Sequence, residues 1–255
     1  MATFRVTTII TVVMKGLQRA DTWKYPIPGA NFVRGAAYIF VIASLLFCIF
    51  IAAKAGLGDL AARRVEPAFT VWREKKIIGS QEWSRVYGLL LEAVALRPGN
   101  PDYHLQLGQL YSYRRMTNER SQSEYQADLR QALVHFQSSV EKRNMWGFGW
   151  AYIASTKSLL GELDGEFSYA LERAVTLGPW EPPVQRMVSN AAFRHWFDLS
   201  VADKALVREN SIRGLQSVSN AQSRRMTELI RSQNKHFVVC PYLKRDKLFI
   251  RVCTN

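Results

Sequence analysis

Cys240 and Cys253 are the residues whose type and spacing carry the clearest chemistry in this sequence. The third cysteine, Cys48, lies in an apolar run far from them. In an oxidising compartment Cys240 and Cys253 could form a disulfide that closes a loop of about 14 residues and stabilises the fold by roughly 3 kcal/mol. In a reducing compartment they would remain two unrelated thiols. The disulfide is therefore expected only if this part of the chain is exported.

The remaining reactive side chains do not form the pattern of an enzyme. The histidines at positions 104, 135, 195 and 236 are scattered, and the sequence contains no HExxH, Walker or GxSxG motif and no zinc-type Cys–His spacing. Glu162, Asp164 and Glu166 are close enough to suggest the carboxylates of a glycan-processing enzyme. Gly161 and Gly165 flank them, however, which favours a solvated helix–helix turn with a cap. We expect no catalytic residue, no metal site and no cofactor, and hence a protein that is not an enzyme.

Tryptophans offer a second kind of site, because aromatic rings stack on sugar faces. The most prominent of the seven are Trp146, Trp150, Trp180 and Trp196. Packing in the core is the favoured interpretation for these residues. Trp146, which stands beside Gly147 and Gly149, is the best candidate for an exposed ring.

The charge of the chain is concentrated near its C-terminus. The 255 residues carry a net charge of +13, and residues 184–255 contain 13 basic and five acidic side chains. A basic surface suits a polyanion such as nucleic acid, anionic lipid or acidic glycan, whereas the alternative is an ordinary solvated face. The candidate residues for an acidic glycan or anionic lipid are Arg224, Arg225, Arg231, Lys244, Arg245 and Lys247.

The elements that must position these residues begin with an apolar segment. Residues 35–53 contain no charged side chain, and as a helix they would span about 28 Å, close to the thickness of a bilayer core. They predict a single transmembrane helix after a leader of residues 1–34, with a buried central helix as the alternative. Basic residues are nearly balanced on the two sides of the segment. Because long C-terminal domains translocate largely regardless of charge, we expect a cytoplasmic N-terminus and an exported C-terminal domain, which would also exclude nucleic acid as a partner.

The pattern of residues 60–234 is helical and resembles the tetratricopeptide repeat (TPR). Pro98 and Pro179 fit its closing proline, Asn144 takes that place in the unit between them, and Gly108 provides a small residue for the close approach of a neighbouring helix. The fold class predicted is all-α, with a TPR-like α-solenoid after the transmembrane helix; a generic helical bundle is the alternative. The predicted partner-binding residues of its groove are Tyr103, Gln106, Gln109, Tyr113 and Trp146.

Residues 235–255 change character and predict a short extended tail. Two runs rich in β-branched and aromatic residues, at positions 236–240 and 247–253, are separated by a polar turn. They are expected to pair as a hairpin or to lie extended over the last helix.

Taken together, the chain resembles the VpsP-like accessory proteins of bacterial exopolysaccharide systems, which are small, membrane-anchored and TPR-like. The resemblance depends on the single N-terminal span, the Leu96–Pro101 helix junction, the Leu177–Gln185 segment, the Trp196–Leu199 motif and the paired tail cysteines. It covers nearly the whole chain, although the long leader departs from the family.

The resemblance implies a non-enzymatic scaffold in the bacterial inner membrane, with its C-terminal domain in the periplasm. Such a scaffold would bind protein partners of a polysaccharide assembly or export machine and contact the bilayer through residues 35–53. The alternative client is another envelope system, such as pilus or secretion assembly or cytochrome maturation.

Overall fold

The computed structural model describes residues 30–75, 78–114 and 121–254, with side chains from residue 35 onward. Most of the predicted leader and residues 115–120 lie outside this description. The described residues are all-helical, with 82% of the structure in helices and no strand. This confirms the all-α class, whereas the TPR-like solenoid stays a prediction.

Twelve α-helices and one short 3-10 helix follow one another in the described residues. They are α1 (Ala30–Arg63), α2 (Glu66–Lys75), α3 (Ser80–Leu96), α4 (Pro101–Tyr113), α5 (Gln122–Lys142), α6 (Gly147–Leu160), α7 (Gly165–Leu177), α8 (Pro182–Arg194), α9 (Val201–Leu215), α10 (Asn220–Ser232), α11 (His236–Val239), the 3-10 helix (Cys240–Tyr242) and α12 (Lys247–Cys253).

Helix α1 contains the predicted transmembrane segment and extends beyond it at both ends. It is the one helix in the described residues that is long and apolar enough to cross a membrane, and it lies near the N-terminus. Large apolar side chains from Tyr38 to Phe50 are exposed along it. Among the described residues nothing buries these side chains, so the structure does not support the alternative of a buried central helix.

The chain divides into two compact units, residues 1–53 and 54–255. In the second unit each helix from α3 to α9 packs on the next, and α6 to α10 also pack on the helix two places further along. A large core extends from α4 to α12, and a second core joins α2, α3 and α4 around the fully buried rings of Phe69 and Trp72.

Gly108 shows how closely α4 and α5 approach each other. A Cβ atom at this position would lie 2.4 Å from Cε1 of Phe136, whose side chain is completely buried. The prediction that Gly108 permits the close approach of a neighbouring helix is therefore confirmed.

Local capping signals set several helix boundaries. Ser200 caps α9 by accepting a hydrogen bond from the amide of Asp203. Helix α4 is capped by Asn100, whose side chain accepts from the amide of Asp102. Pro101 occupies the first helical position, so the cap falls on the residue before it.

The segment after residue 235 is helical, which corrects the expected extended tail or hairpin. Asp246 caps α12 by accepting from the amides of Leu248 and Phe249. Val238, Val239 and Val252 are buried in the same core as the preceding helices. Burial of these apolar side chains against α9 and α10 overrides their intrinsic preference for strands.

Candidate functional site

Three of the five predicted groove residues are used for internal contacts. Tyr103 is 2% exposed, and its hydroxyl donates to the carboxylate of Asp59. The side-chain amide of Gln109 donates to the Tyr152 hydroxyl at 2.7 Å. The ring of Tyr113 packs 5.3 Å from that of Phe69. These side chains therefore hold helices together, and their role as partner-binding residues stays a prediction.

Tyr103 and Gln106 reach a cleft in the second unit. It has a volume of about 370 Å³ and is lined also by Asp59, Arg63 and Glu66. Its acidic groups already have partners, since Asp59 lies 3.8 Å from Arg97 and Glu66 lies 3.0 Å from Arg73. The cleft therefore offers little unpaired charge to a ligand.

Trp146 lies apart from the other four groove residues, at the start of α6. Its ring is half-buried, with the Arg143 guanidinium 4.9 Å from its centre and the Phe148 ring at 5.5 Å.

The other tryptophans differ from expectation in one case. Trp196 is 8% exposed and belongs to the core, as predicted, whereas Trp180 is 76% exposed and the expectation of core packing for it is wrong.

The two tail cysteines are joined in the structure. A disulfide links Cys240 at the start of the 3-10 helix to Cys253 at the end of α12, with the two Cα atoms 5.9 Å apart. The bond closes a loop that contains Tyr242, Lys244 and Lys247. It therefore fixes the shape of an exposed basic segment.

The six predicted basic residues are exposed, but they do not all have the same environment. Arg231 donates to the backbone carbonyls of Arg251 and Thr254, at 2.6 and 3.1 Å, and thereby holds α12 on α10. Within the described ranges, the structure shows no hydrogen bond or ion pair for the side chains of the other five, which are Arg224, Arg225, Lys244, Arg245 and Lys247. Arg231 is thus a structural residue, and the others remain candidates for polyanion contact.

Beside this segment lies an aromatic platform, formed by the stacked rings of Phe197 and Phe237. Their planes are 14° apart and their centres 6.0 Å, and the two residues are 76% and 49% exposed. The Lys235 ammonium lies 5.3 Å from the centre of the Phe197 ring. Trp196 supports Phe237 from the core, in an edge-on contact of 6.4 Å.

The platform could not be predicted from the sequence because its two rings come from separate segments. Phe197 follows α8, and Phe237 begins the segment that was expected to be extended. The side chain of Lys204, on α9, donates to the carbonyl of Phe197 at 3.1 Å and fixes the backbone there. Exposed large rings that are held rigid and bordered by cations are typical of surfaces that bind another molecule.

The three clustered carboxylates lie at the turn between α6 and α7, as predicted. Asp164 caps α7 by accepting from the amide of Phe167, and Gly161 adopts a left-handed conformation with φ of 76°. What the sequence did not indicate is that all three carboxylates contact the buried ammonium of Lys157. Much of their charge is therefore compensated within the fold. Among the described residues, no group of three or more His, Cys, Asp or Glu side chains could hold a metal ion.

No protein-family model matches this chain, and no curated protein is significantly similar to it.

Proposed function

We propose that this chain is a non-enzymatic adaptor that assists the assembly or export of a bacterial surface polysaccharide. It is anchored in the inner membrane through residues 35–53, with its N-terminus in the cytoplasm and its helical domain in the periplasm. It acts by holding a partner of the export or polymerisation machine close to the membrane, which raises the local concentration of that partner without any bond chemistry.

The observation that carries the proposal is the aromatic platform. A ring that is 76% exposed, as Phe197 is, costs hydration free energy in the isolated protein, and that cost is recovered when a partner covers it. Lys235 on the same surface, with five exposed basic side chains on neighbouring segments, would favour a partner with an acidic rim. That the chain serves a polysaccharide system is inferred from the resemblance to the VpsP-like proteins.

The disulfide supports the proposed periplasmic location of the helical domain. Structural disulfides persist in oxidising compartments such as the bacterial periplasm and are rare in the cytosol. Alkaline phosphatase fused after residue 255 should therefore be active, and the same fusion after residue 34 should be inactive. An inactive fusion after residue 255 would place the helical domain in the cytoplasm and contradict the proposed orientation.

The function is tested by deleting the gene in its bacterium and restoring it with variants. Deletion should reduce the amount or alter the chain length of surface polysaccharide, and the unaltered gene should restore it. A gene carrying both Phe197→Ala and Phe237→Ala should fail to restore it at equal protein level. Trp180→Ala is the matched control, because Trp180 is equally exposed but belongs to a different surface; it should restore polysaccharide fully. Unchanged polysaccharide in the deletion strain would refute the proposed function.

A further inference from the structure

A second concave surface lies between α7 and the start of α9. It is a cleft of about 560 Å³, a size suited to a small organic ligand. Its lining includes Ser168, Tyr169 and Glu172 from α7, and Ser200, Asp203 and Leu206 from the beginning of α9. Neither the platform nor the disulfide-closed segment contributes to this lining.

The carboxylate of Asp203 is held rigidly in this cleft. The residue is 8% exposed, and its Oδ2 accepts hydrogen bonds from the hydroxyls of Ser168 and Ser200, at 2.9 and 2.7 Å. Each hydroxyl has a single proton, and both protons are committed to Asp203. The Ser168 oxygen can therefore only accept a hydrogen bond from a ligand. The carboxylate of Glu172, which also lines the cleft, can likewise only accept.

An aromatic ring borders the same cleft. Tyr169 is 49% exposed, and the edge-on packing of Trp150, at 5.3 Å and 89°, holds its ring in place. A fixed, half-exposed ring offers an apolar face to the C–H groups of a sugar. Among the described residues that line the cleft, none is basic. A ligand must therefore donate several hydrogen bonds, present an apolar face and carry no negative charge.

We propose that this cleft binds a neutral sugar unit. The sugar ring stacks on Tyr169, and its hydroxyls donate hydrogen bonds to Glu172 and to the side of the cleft that Asp203 lines. The identification of the natural ligand as a unit of the assembled polymer rests on the proposed function. The cleft then gives the adaptor direct contact with the polymer, in addition to the protein contact made at the platform. Its acidic lining selects against uronic acids, which bring a like charge to the carboxylates.

The test measures binding of oligosaccharides to the full-length protein in detergent. The probes are neutral trisaccharides of glucose, galactose, mannose and N-acetylglucosamine, with trigalacturonate as the acidic probe. Binding is followed by saturation-transfer NMR and by the intrinsic tryptophan fluorescence of the protein, to which Trp150 contributes. At least one neutral trisaccharide should bind, and trigalacturonate should bind at least about tenfold more weakly.

Variants connect this binding to the cleft. Tyr169→Ala should weaken the affinity about tenfold or more, whereas Tyr169→Phe, which keeps the ring, should retain it. Phe197→Ala removes a ring of the platform and should leave sugar binding unchanged. Thermal unfolding of each variant establishes that the domain stays folded.

Three results would overturn the inference: no neutral probe binds, trigalacturonate or a simple amine binds better, or Tyr169→Ala binds as well as the unaltered protein. None of these results affects the polysaccharide phenotype of the deletion strain or of the Phe197→Ala, Phe237→Ala variant. Failure of the sugar site is therefore distinguishable from failure of the proposed function.

Discussion

The Nζ atom of Lys157 lies 2.9 Å from Oδ2 of Asp164, at the turn that joins α6 to α7. The Lys157 side chain is 3% exposed and also contacts Glu166 at 2.9 Å and Glu162 at 3.5 Å. Arg130 on α5 reaches the same group by binding Glu162 at 2.9 Å. One buried cation thus organises three carboxylates and joins α6 to α7, and Arg130 links the group to α5.

Replacing Lys157 with methionine should destabilise the helical domain strongly. The change keeps the apolar stem but leaves three carboxylates close together without their central cation, and breaking a buried ion pair on one side costs about 3 kcal/mol or more. Thermal unfolding should show a fall in Tm of roughly 6–12 °C. Arg130→Gln is the matched control: Arg130 is 65% exposed, so its loss should cost less than about 1 kcal/mol. Equal effects of the two changes would contradict a central role for Lys157.

The same group predicts how the stability of the domain depends on pH. The hydrogen bond from Lys157 holds the pKa of Asp164 below its usual value, and a smaller effect of burial opposes it. Burial lowers the pKa of Lys157, but the hydrogen bonds to Asp164 and Glu166 outweigh it and raise that pKa above its usual value.

A carboxyl with a lowered folded-state pKa stabilises the fold above its unfolded pKa of about 3.9, and this contribution is lost as the pH falls further. A lysine with a raised pKa stabilises the fold below about pH 10.4 and loses that contribution as the pH rises through the folded-state value. Urea unfolding at a series of pH values should therefore show a decrease in the free energy of unfolding below about pH 4 and above about pH 10. Both losses should be smaller in Lys157→Met, and an unchanged pH profile would contradict this explanation.

Two glycines at helical positions should respond in opposite ways to alanine. Gly88 in α3 has no atom within 4 Å of a Cβ, so Gly88→Ala should stabilise the domain by about 0.5–1 kcal/mol through helix propensity. Gly108→Ala would place a Cβ against the buried ring of Phe136 and should destabilise it by about 1–3 kcal/mol. Chemical unfolding of both variants measures the difference, and stabilisation by Gly108→Ala would show that α4 and α5 are less tightly packed.

Loss of the disulfide should weaken the C-terminal segment. Cys240→Ser and Cys253→Ser should each lower the free energy of unfolding by about 3 kcal/mol. The same loss should appear on adding a reductant to the unaltered protein, whereas the reductant should not affect either variant. Cys48→Ser is the control, because Cys48 is a free, exposed cysteine in α1 and should have no effect. Free thiols at both tail positions in protein purified from membranes without a reductant would contradict the bond.

Much of the fold follows from local signals that the sequence displays openly. The uncharged run of residues 35–53 identifies the apolar part of α1, and the Pro182–Pro183 pair starts α8 because both prolines fit the first turn of a helix. Ser200 and Asp203 together define the start of α9. In each case neighbouring residues determine the outcome, so no knowledge of the rest of the chain is needed.

The errors arise where distant residues decide the structure. The run at positions 247–253 has strand-forming residues, yet it becomes helical because Asp246 caps it and Val252 is buried against earlier helices. Tyr103 was expected in an open groove, but the partner of its hydroxyl, Asp59, lies 44 positions earlier in the chain. The platform and the cleft between α7 and α9 were not predicted for the same reason, since each joins residues from segments that are not neighbours in sequence.

The stacking of Phe237 on Phe197 also makes the order of synthesis matter. Phe197 emerges from the ribosome well before Phe237, and the covalent closure that secures the neighbouring segment waits for Cys253. A chain that ends before residue 235 would display Phe197 without either Phe237 or Lys235. The two stacked rings of the platform therefore come together only late in synthesis, after most of the helical domain has been made.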